Sequence, residues 1–260
     1  MIVLKNVSKA FGSKKVLTQV SFQVNPKEFV CITGPSGAGK STLIHLLAGA
    51  EQASSGSIEV DGVDLRAIPP MALRLFRRRV GIVFQDYKLL PHFTVRENVA
   101  FPLEVCGEAD AAIARRVDEL LKEMHLKKIA NALPEEISGG EQARTAIARA
   151  IVHKPMVLLA DEPTGNLDPD QSEQVLKIFR SIHRAGTTVV LATHDTALVD
   201  ILHTRVIRLE DGKITRDSAG GYHTPKSAAH QILQETSEES PKNVPKKRSS
   251  KNVRITAISS

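Results

Sequence analysis

The chain has 260 residues and a mass of 28.3 kDa, which allows one large domain or two modest ones around a sizeable core. Hydrophobic residues at 42% and charged residues at 25% exclude a fibrous or wholly disordered protein, and every apolar run is far shorter than the roughly 18 residues that span a bilayer. The formal net charge is +6, of which +4 lies in residues 221–260, so the nearly neutral remainder gives no support to a nucleic-acid-binding face.

The first 65 residues are predicted to be rich in β-strands. Apolar and polar residues nearly alternate over Ile2–Val7 and Val16–Val24, and Gly12 and Pro26 mark turns. Ile58–Val60 is predicted to form a further short strand. These segments indicate an N-terminal antiparallel β subdomain.

Continuous apolar runs indicate strands that are buried on both faces of a parallel sheet. The runs are Phe29–Thr33, Val80–Phe84, Met156–Ala160 and Thr187–Thr193. Helical patterns separate them, at Thr42–Leu47, Ala111–Met124, Gly140–Val152 and Ser172–His183. Strands that alternate with helices predict a three-layer α/β fold with a parallel sheet.

The domain organisation follows from where this alternation fails. Residues 87–155 have a mostly helical pattern, so we predict a core from 1–86 plus 156–220 and an inserted all-α subdomain from 87–155. The segment 221–260 is basic, and Ser237–Lys251 is almost free of apolar side chains, which predicts a disordered tail. Cys31 and Cys106 form neither a metal-ligand pattern nor a disulfide framework, and the N-terminus lacks a signal-peptide pattern. We therefore expect a reduced cytosolic compartment.

Residues 34–41 match the phosphate-binding pattern G-x-x-x-x-G-K-[ST] at every fixed position. The loop follows a buried strand and precedes a helix, so its backbone N–H groups and the positive end of the helix can surround phosphate oxygens. We expect Lys40 to reach the β- and γ-phosphates of ATP, and the Ser41 hydroxyl to hold Mg²⁺. The predicted nucleotide-binding residues here are Gly34, Pro35, Ser36, Gly37, Ala38, Gly39, Lys40, Ser41 and Thr42.

The residues that follow the other buried runs are the types that metal-assisted hydrolysis needs. Ligands of open parallel sheets bind beyond the carboxyl ends of the strands, so these residues should face the same phosphates. Asp161 is predicted to hold Mg²⁺ or its bound water, and Gln85 to complete the metal shell. Glu162 is predicted to orient or deprotonate the attacking water, with His194 at the γ-phosphate. A single strand-end Gln or His is commonly a surface residue and Asp-Glu a helix cap, but four such endings beside a phosphate loop indicate ATP hydrolysis.

Several motifs resemble those of the ABC-type ATPases. The run Ile137-Ser138-Gly139-Gly140-Glu141-Gln142 is similar to the family signature, and Asn166-Leu167-Asp168 is similar to its D-loop. Gln85 and His194 resemble the Q-loop glutamine and the switch histidine, and Phe11 takes the place of the aromatic residue that stacks on adenine. The resemblance covers about residues 1–217 and implies a P-loop (RecA-like) core. It also implies nucleotide contacts from Phe11, Gln85, Ser138, Gly139, Gly140, Gln142 and Asp168.

Three stretches are most similar to the cell-division ATP-binding proteins of this family, namely Phe84–Pro91, Thr94–Ala100 and Thr164–Pro169. ATPases of lipoprotein-releasing and macrolide-type exporters share the Gly-Asn-Leu-Asp element, so an exporter subunit stays an alternative. A non-membrane ABC-type ATPase is a further alternative, although such chains usually carry two nucleotide sites or long coiled-coil insertions. Ala143 and Ile137 depart from the usual signature residues without removing a phosphate-contacting group.

The resemblance also implies partners. In the family, the signature meets the γ-phosphate held by another subunit, which implies a homodimer that closes on two ATP molecules. Ser138 and Glu141 are equally typical of a helix capping box, and the two interpretations are compatible. An FtsX-type integral membrane protein is implied as the partner in cell division and control of cell-wall hydrolysis, docking near Gln85 on Tyr87–Phe93 at the cytoplasmic face. The segment Lys242–Arg254 is predicted either to contact anionic lipid or to stay solvated.

Overall fold

The computed structural model describes residues 1–221. The predicted basic tail and its lipid contact therefore lie outside the described residues, apart from Gly221. The strands, in chain order, are β1 (Ile2–Phe11), β2 (Lys14–Val24), β3 (Phe29–Thr33), β4 (Ser55–Val60), β5 (Val63–Asp64), β6 (Val80–Val83), β7 (Val157–Asp161), β8 (Thr188–Ala192), β9 (Arg205–Glu210) and β10 (Lys213–Ser218). The α-helices are α1 (Lys40–Leu47), α2 (Pro70–Arg77), α3 (Val95–Cys106), α4 (Asp110–Glu123), α5 (Gly139–Ile151), α6 (Pro169–Arg184) and α7 (Thr196–Leu202).

The continuous apolar runs form the middle of a six-stranded sheet, in the order β10-β9-β3-β8-β7-β6. The strands β9, β3, β8, β7 and β6 are parallel, whereas β10 pairs antiparallel with β9 at the edge. Every residue of β3, β7 and β8 is buried, as expected for strands covered on both faces. The predicted α/β fold is confirmed, with a sheet that is mixed at one edge.

The two faces of this sheet bury separate apolar clusters. In β3, Val30 and Ile32 pack in one cluster with α1 and the N-terminal antiparallel sheet, while Phe29 and Cys31 pack in the other with α3 to α7. This division follows from the strand geometry, in which successive side chains point to opposite faces. The predicted three-layer arrangement is thereby confirmed.

The N-terminal residues form the predicted antiparallel sheet, in the order β2-β1-β4-β5. Both long strands extend further than their alternating patterns indicated, so that β1 reaches Phe11. The pairing of β1 with β2 contains register shifts near Val7 and Lys9, which mark bulges in the strand.

Residues 87–155 contain α3, α4, α5 and two 3₁₀ turns, Lys127–Ile129 and Pro134–Glu136. Capping boxes fix the start of α3 at Thr94 with Glu97, and the start of α5 at Ser138 with Glu141. One apolar cluster runs from these helices into the central sheet. The division into a core and a separate helical subdomain therefore stays a prediction.

Candidate nucleotide site

The phosphate loop joins β3 to α1, and at two of its glycines the backbone lies very close to neighbouring residues. Gly34 has φ +146°, and a Cβ there would collide with the carbonyl oxygen of Leu209 in β9. Gly39 has φ +103°, and a Cβ there would lie 2.7 Å from Leu17 Cδ2. Side chains are excluded at both positions, since the backbone is left-handed and the space is taken. The first turn of α1 has no side-chain cap, so its N–H groups can receive an anion.

The remaining loop residues form two groups, an exposed crest (residues 35–37) and a base of buried or half-buried residues (38 and 40–42). Pro35, Ser36 and Gly37 are exposed, Ala38 and Lys40 are buried, and Ser41 and Thr42 are half-buried. The crest is therefore open to a ligand, while the base is held by β3 and α1.

Lys40, Glu162 and His194 form a continuous chain of contacts. Lys40 Nζ donates to the carbonyl oxygens of Gly34 and Pro35 at 2.9 and 3.1 Å, and it lies 3.2 Å from Glu162 Oε1. The other carboxylate oxygen of Glu162 lies 2.9 Å from His194 Nδ1. Glu162 is largely buried, whereas the His194 side chain is 59% exposed. The structure thus brings the two predicted catalytic residues together beside the loop lysine.

The backbone holds Glu162 and His194 at the ends of β7 and β8. Glu162 has φ +44°, which is unusual for a residue with a side chain, and its N–H donates to Ala192 O at 2.9 Å. Thr193 N–H donates to Ile32 O at 3.0 Å. Both bonds extend the sheet ladder by one residue, so Glu162 and the residue before His194 are anchored to the sheet.

The buried Asp161 and the half-buried Ser41 form a pair that suits a hydrated cation. The Ser41 hydroxyl donates to Asp161 Oδ1 at 3.0 Å, and Asp161 is the last residue of β7. Burial raises the pKa of Asp161 above its ordinary value, against the hydrogen bond from Ser41. A desolvated carboxylate beside a hydroxyl fits Mg²⁺ that is completed by phosphate and water oxygens. Among residues 1–221, no group of three or more His, Cys, Asp or Glu forms an all-protein metal cage.

Gln85 lies two residues beyond β6, on the exposed surface. Its carbonyl oxygen accepts from Asn166 Nδ2 at 3.4 Å, a long contact that connects the segment after β6 to the predicted D-loop. Asp168, also in that loop, caps α6, since its Oδ1 accepts from Gln171 N–H at 2.8 Å.

The signature residues lie at the start of α5. The Ser138 hydroxyl donates to Glu141 Oε2 at 2.7 Å, and Gly140 is packed so closely by Gln171 that a Cβ there would lie 3.0 Å from its amide. The Gln142 side chain donates to Pro134 O at 2.9 Å. Ile137 and Ala143, the two departures from the usual signature, are buried among apolar neighbours.

Nothing in the described chain connects the signature residues to the phosphate loop of the same chain by a hydrogen bond or an ion pair. The polar contacts of Ser138 and Gln142 go to Glu141, Pro134 and Ile137. The signature is thus not part of the cluster formed by Lys40 and the strand ends.

Phe11 lies at the end of β1 and is 47% exposed, a high value for a phenylalanine. The ammonium group of Lys9 lies over its ring, 4.5 Å from the centroid. An exposed aromatic ring at this position is consistent with stacking on a nucleobase.

Two further polar residues, which the sequence did not single out, hold the segment after β6. Arg149 in α5 donates to the carbonyl oxygens of Tyr87 and Lys88 at 2.6 and 2.7 Å. Asn98 in α3 is fully buried and bonds the backbone of Leu90 in both directions. Tyr87 is itself buried, so it is not among the exposed docking residues that were expected over Tyr87–Phe93. An isolated Arg and Asn within helices carry no sequence signal for this role.

Comparison with known proteins identifies the family. A sequence profile described as ABC transporter matches residues 17–165. The chain belongs to the ABC transporter family. Within it, the cell division ATP-binding protein FtsE of Bacillus subtilis (strain 168) is 49% identical over 222 residues, which cover 85% of this chain and 97% of the relative. FtsE of Escherichia coli (strain K12) is 45% identical over 215 residues, covering 82% and 97%. The chain is therefore also a member of the FtsE group.

Solved structures of the family share the fold. The dimeric ATP-binding cassette MJ0796, in a post-hydrolysis state bound to ADP and Pi, superposes with a TM-score of 0.78 and 34% identity. The match covers 84% of this chain and 98% of that one. In residues 1–221, no helix has the length and apolar character required to cross a bilayer.

Proposed function

We propose that this chain is the ATP-hydrolysing subunit of an ABC-type membrane complex that acts in bacterial cell division. The observation that carries the proposal is the cluster of Lys40, Ser41, Asp161, Glu162 and His194 at the carboxyl ends of β3, β7 and β8. At one edge of the sheet, these residue types supply a cation that can bind phosphate, a site for a metal ion and a carboxylate that contacts a histidine. The relatives named above are cell division ATP-binding proteins, which supports the biological setting.

In the proposed reaction, Lys40 exchanges its contact with Glu162 for the β- and γ-phosphates of ATP, which carry more negative charge than one carboxylate. Glu162 then keeps its contact with His194 and orients a water, or accepts its proton, for attack on the γ-phosphorus. As the new P–O bond forms, the bond from the γ-phosphorus to the β–γ bridging oxygen breaks, and ADP and phosphate are released. Ser41 and Asp161 would hold Mg²⁺, with Gln85 at the edge of the metal shell. When bound, the ion neutralises charge on the phosphates.

We further propose that two copies close head to tail around two ATP molecules. The signature residues Ser138, Gly139 and Gly140 form a helix N-terminus that is separate from the phosphate loop of their own chain. A second copy would bring this N-terminus to the γ-phosphate. The dimeric state of the related cassette supports this arrangement.

Glu162→Gln tests both proposals. Because the substitution keeps the size of the side chain and removes its charge, we expect ATP binding to persist, hydrolysis to fall by about a hundredfold or more, and a stable dimer to form with Mg-ATP. Size-exclusion chromatography with light scattering measures the dimer. Glu173→Gln, an exposed carboxylate in α6, is the matched control. A Glu162→Gln protein that binds ATP and stays monomeric would refute the dimer; full hydrolysis would refute the role of Glu162.

The membrane partner is proposed to be an FtsX-type integral protein that docks a helix into the groove between α2, β6 and α3. This groove has a cavity of about 320 Å³, and its ionisable lining residues are all basic: Arg77, Lys88, Arg149 and His153. Phe101 in α3 lines the groove and is exposed, and α3 and α2 carry further exposed apolar side chains, namely Val105, Met71 and Leu75. The groove therefore suits an amphipathic helix that carries a carboxylate. Docking there would attach the chain peripherally to the cytoplasmic face of the membrane.

Co-purification with the Glu162→Gln protein in Mg-ATP, from detergent-solubilised native membranes, identifies the partner. We expect a four-span protein with a large extracytoplasmic domain, and we expect Arg77→Glu to reduce its recovery. Arg184→Glu, an exposed position at the end of α6, should not reduce it. Recovery of a lipoprotein-releasing or efflux permease would assign the chain to the exporter branch. Equal recovery with Arg77→Glu would refute the groove.

A further inference from the structure

Lys9 is a buried lysine whose contacts lead to the candidate base-stacking ring. It is 9% exposed and lies on β1, two residues before Phe11. Its ammonium group donates to Glu51 Oε2 at 2.7 Å and to Gln52 O at 2.8 Å. The same nitrogen lies over the Phe11 ring, 4.5 Å from its centroid. One cation therefore contacts the end of β1 and the segment that follows α1.

The local strand does not fix this ring by itself. The register of β1 with β2 shifts between Val7 and Lys9 and again between Lys9 and Ala10, so the ladder is irregular just before Phe11. Phe11 is among the exposed large apolar residues and lacks a packed pocket of its own. The contact with Lys9 thus adds a side-chain link that holds the ring.

The other end of the same link lies just after the phosphate-binding helix. Lys40 and Ser41 begin α1, which ends at Leu47, and Glu51 and Gln52 follow a few residues later. Lys9 therefore connects the strand that carries the ring to the segment directly after the phosphate-binding helix. A cation on one ring face also draws electron density from the ring, which favours stacking of an electron-rich purine on the opposite face.

We propose that Lys9 is a positioning residue for nucleotide recognition, which places and polarises Phe11 for the purine base while Glu51 holds Lys9. This inference rests on the proposed ATP site and adds to it a determinant of base affinity. It predicts that Lys9 affects ligands with a base and spares ligands that consist of phosphate alone.

A double-mutant cycle with two ligands tests the inference. Lys9→Met keeps the length of the side chain and removes its charge. We expect the Kd and KM for ATP to rise between about 3-fold and 10-fold with kcat unchanged, while the affinity for inorganic triphosphate stays the same. In a Phe11→Ala background, Lys9→Met should have little further effect, because the ring through which it acts is gone.

Two controls separate positioning from loss of structure. Lys9→Arg keeps the cation and should restore most of the ATP affinity, and Lys5→Met removes an exposed lysine of the same strand. Equal losses for ATP and triphosphate, or additive losses in the cycle, would overturn the role of Lys9. Failure of the wild-type chain to bind either ligand would instead overturn the phosphate loop, so the two failures are distinguishable.

Discussion

The two capping boxes offer a direct test of what the signature serine does. Ser138 and Glu141 at the start of α5 make the same set of contacts as Thr94 and Glu97 at the start of α3. The carboxylate oxygen accepts from the backbone N–H at 2.8 and 2.7 Å, and from the hydroxyl at 2.7 and 2.8 Å. Only the capping box of Ser138 and Glu141 is proposed to meet a phosphate. Replacing each residue by alanine therefore removes a similar hydroxyl cap from two helices with different proposed roles, and at Thr94 it also removes a methyl group.

The expected magnitude follows from the lost contacts. Ser138→Ala removes the bond to Glu141 Oε2 and the longer one from Glu141 N–H, which costs about 1 kcal/mol of stability. For a chain of this size that corresponds to a fall in Tm of about 2–4 °C. Thr94→Ala should lower the Tm to a similar extent. Only Ser138→Ala should also reduce ATPase activity, by about tenfold or more, because a donor to the transferred phosphate is lost.

Differential scanning fluorimetry and a coupled ATPase assay, run on both variants side by side, give the result. Equal losses of activity in Ser138→Ala and Thr94→Ala would mean that helix stability, not phosphate contact, controls turnover. Full activity in Ser138→Ala at the expected lower Tm would limit Ser138 to a capping role.

Three further outcomes are expected. Hydrogen bonds from the Ser138 side chain and backbone lower the pKa of Glu141. The ionised carboxylate therefore stabilises the folded protein at neutral pH, and this contribution is lost as the pH falls through the lowered pKa. The acid side of a Tm–pH profile should accordingly be flatter in Glu141→Gln. Gly81→Ala should lower the Tm by several degrees, since its Cβ would collide with the carbonyl oxygen of Ala150, and a normal melting curve would contradict that packing. Arg149→Lys should speed amide exchange in the segment after β6, measured by mass spectrometry, because a single ammonium cannot reproduce the fork to two carbonyl oxygens.

The strands that carry the site could be predicted closely because burial on both faces leaves a continuous apolar run. The run Phe29–Thr33 coincides with β3, and Thr187–Thr193 contains β8. The run Met156–Ala160 was placed one residue early, since β7 is Val157–Asp161 and Met156 is 54% exposed. Hydropathy alone cannot distinguish an exposed methionine at a strand end from a buried one.

Elements on the outside of the fold were missed. The helix α2 is strongly amphipathic, but its eight residues are shorter than the window of about 11–18 residues over which a helical period is recognised, although Pro70 at its first position was a usable signal. The hairpin of β9 and β10 was also missed, although Asp211-Gly212 is a typical two-residue turn. The site chemistry was visible as motifs, whereas the links through Lys9, Arg149 and Asn98 depend on contacts between distant segments that a single sequence does not encode locally.

The position of β8 has a consequence for how the protein is made. The strands that end in the phosphate loop and in Asp161 are not neighbours, because β8 lies between β3 and β7. During synthesis, a nascent chain that has not yet released β8 from the ribosome already contains the phosphate loop, Asp161 and Glu162, but it lacks the strand that lies between β3 and β7 in the sheet. Such a chain places these carboxylates beside the loop only when β8 inserts between β3 and β7 in the middle of the sheet. The complete site should therefore form late during synthesis, and ATP hydrolysis by a released chain reports that the sheet is complete.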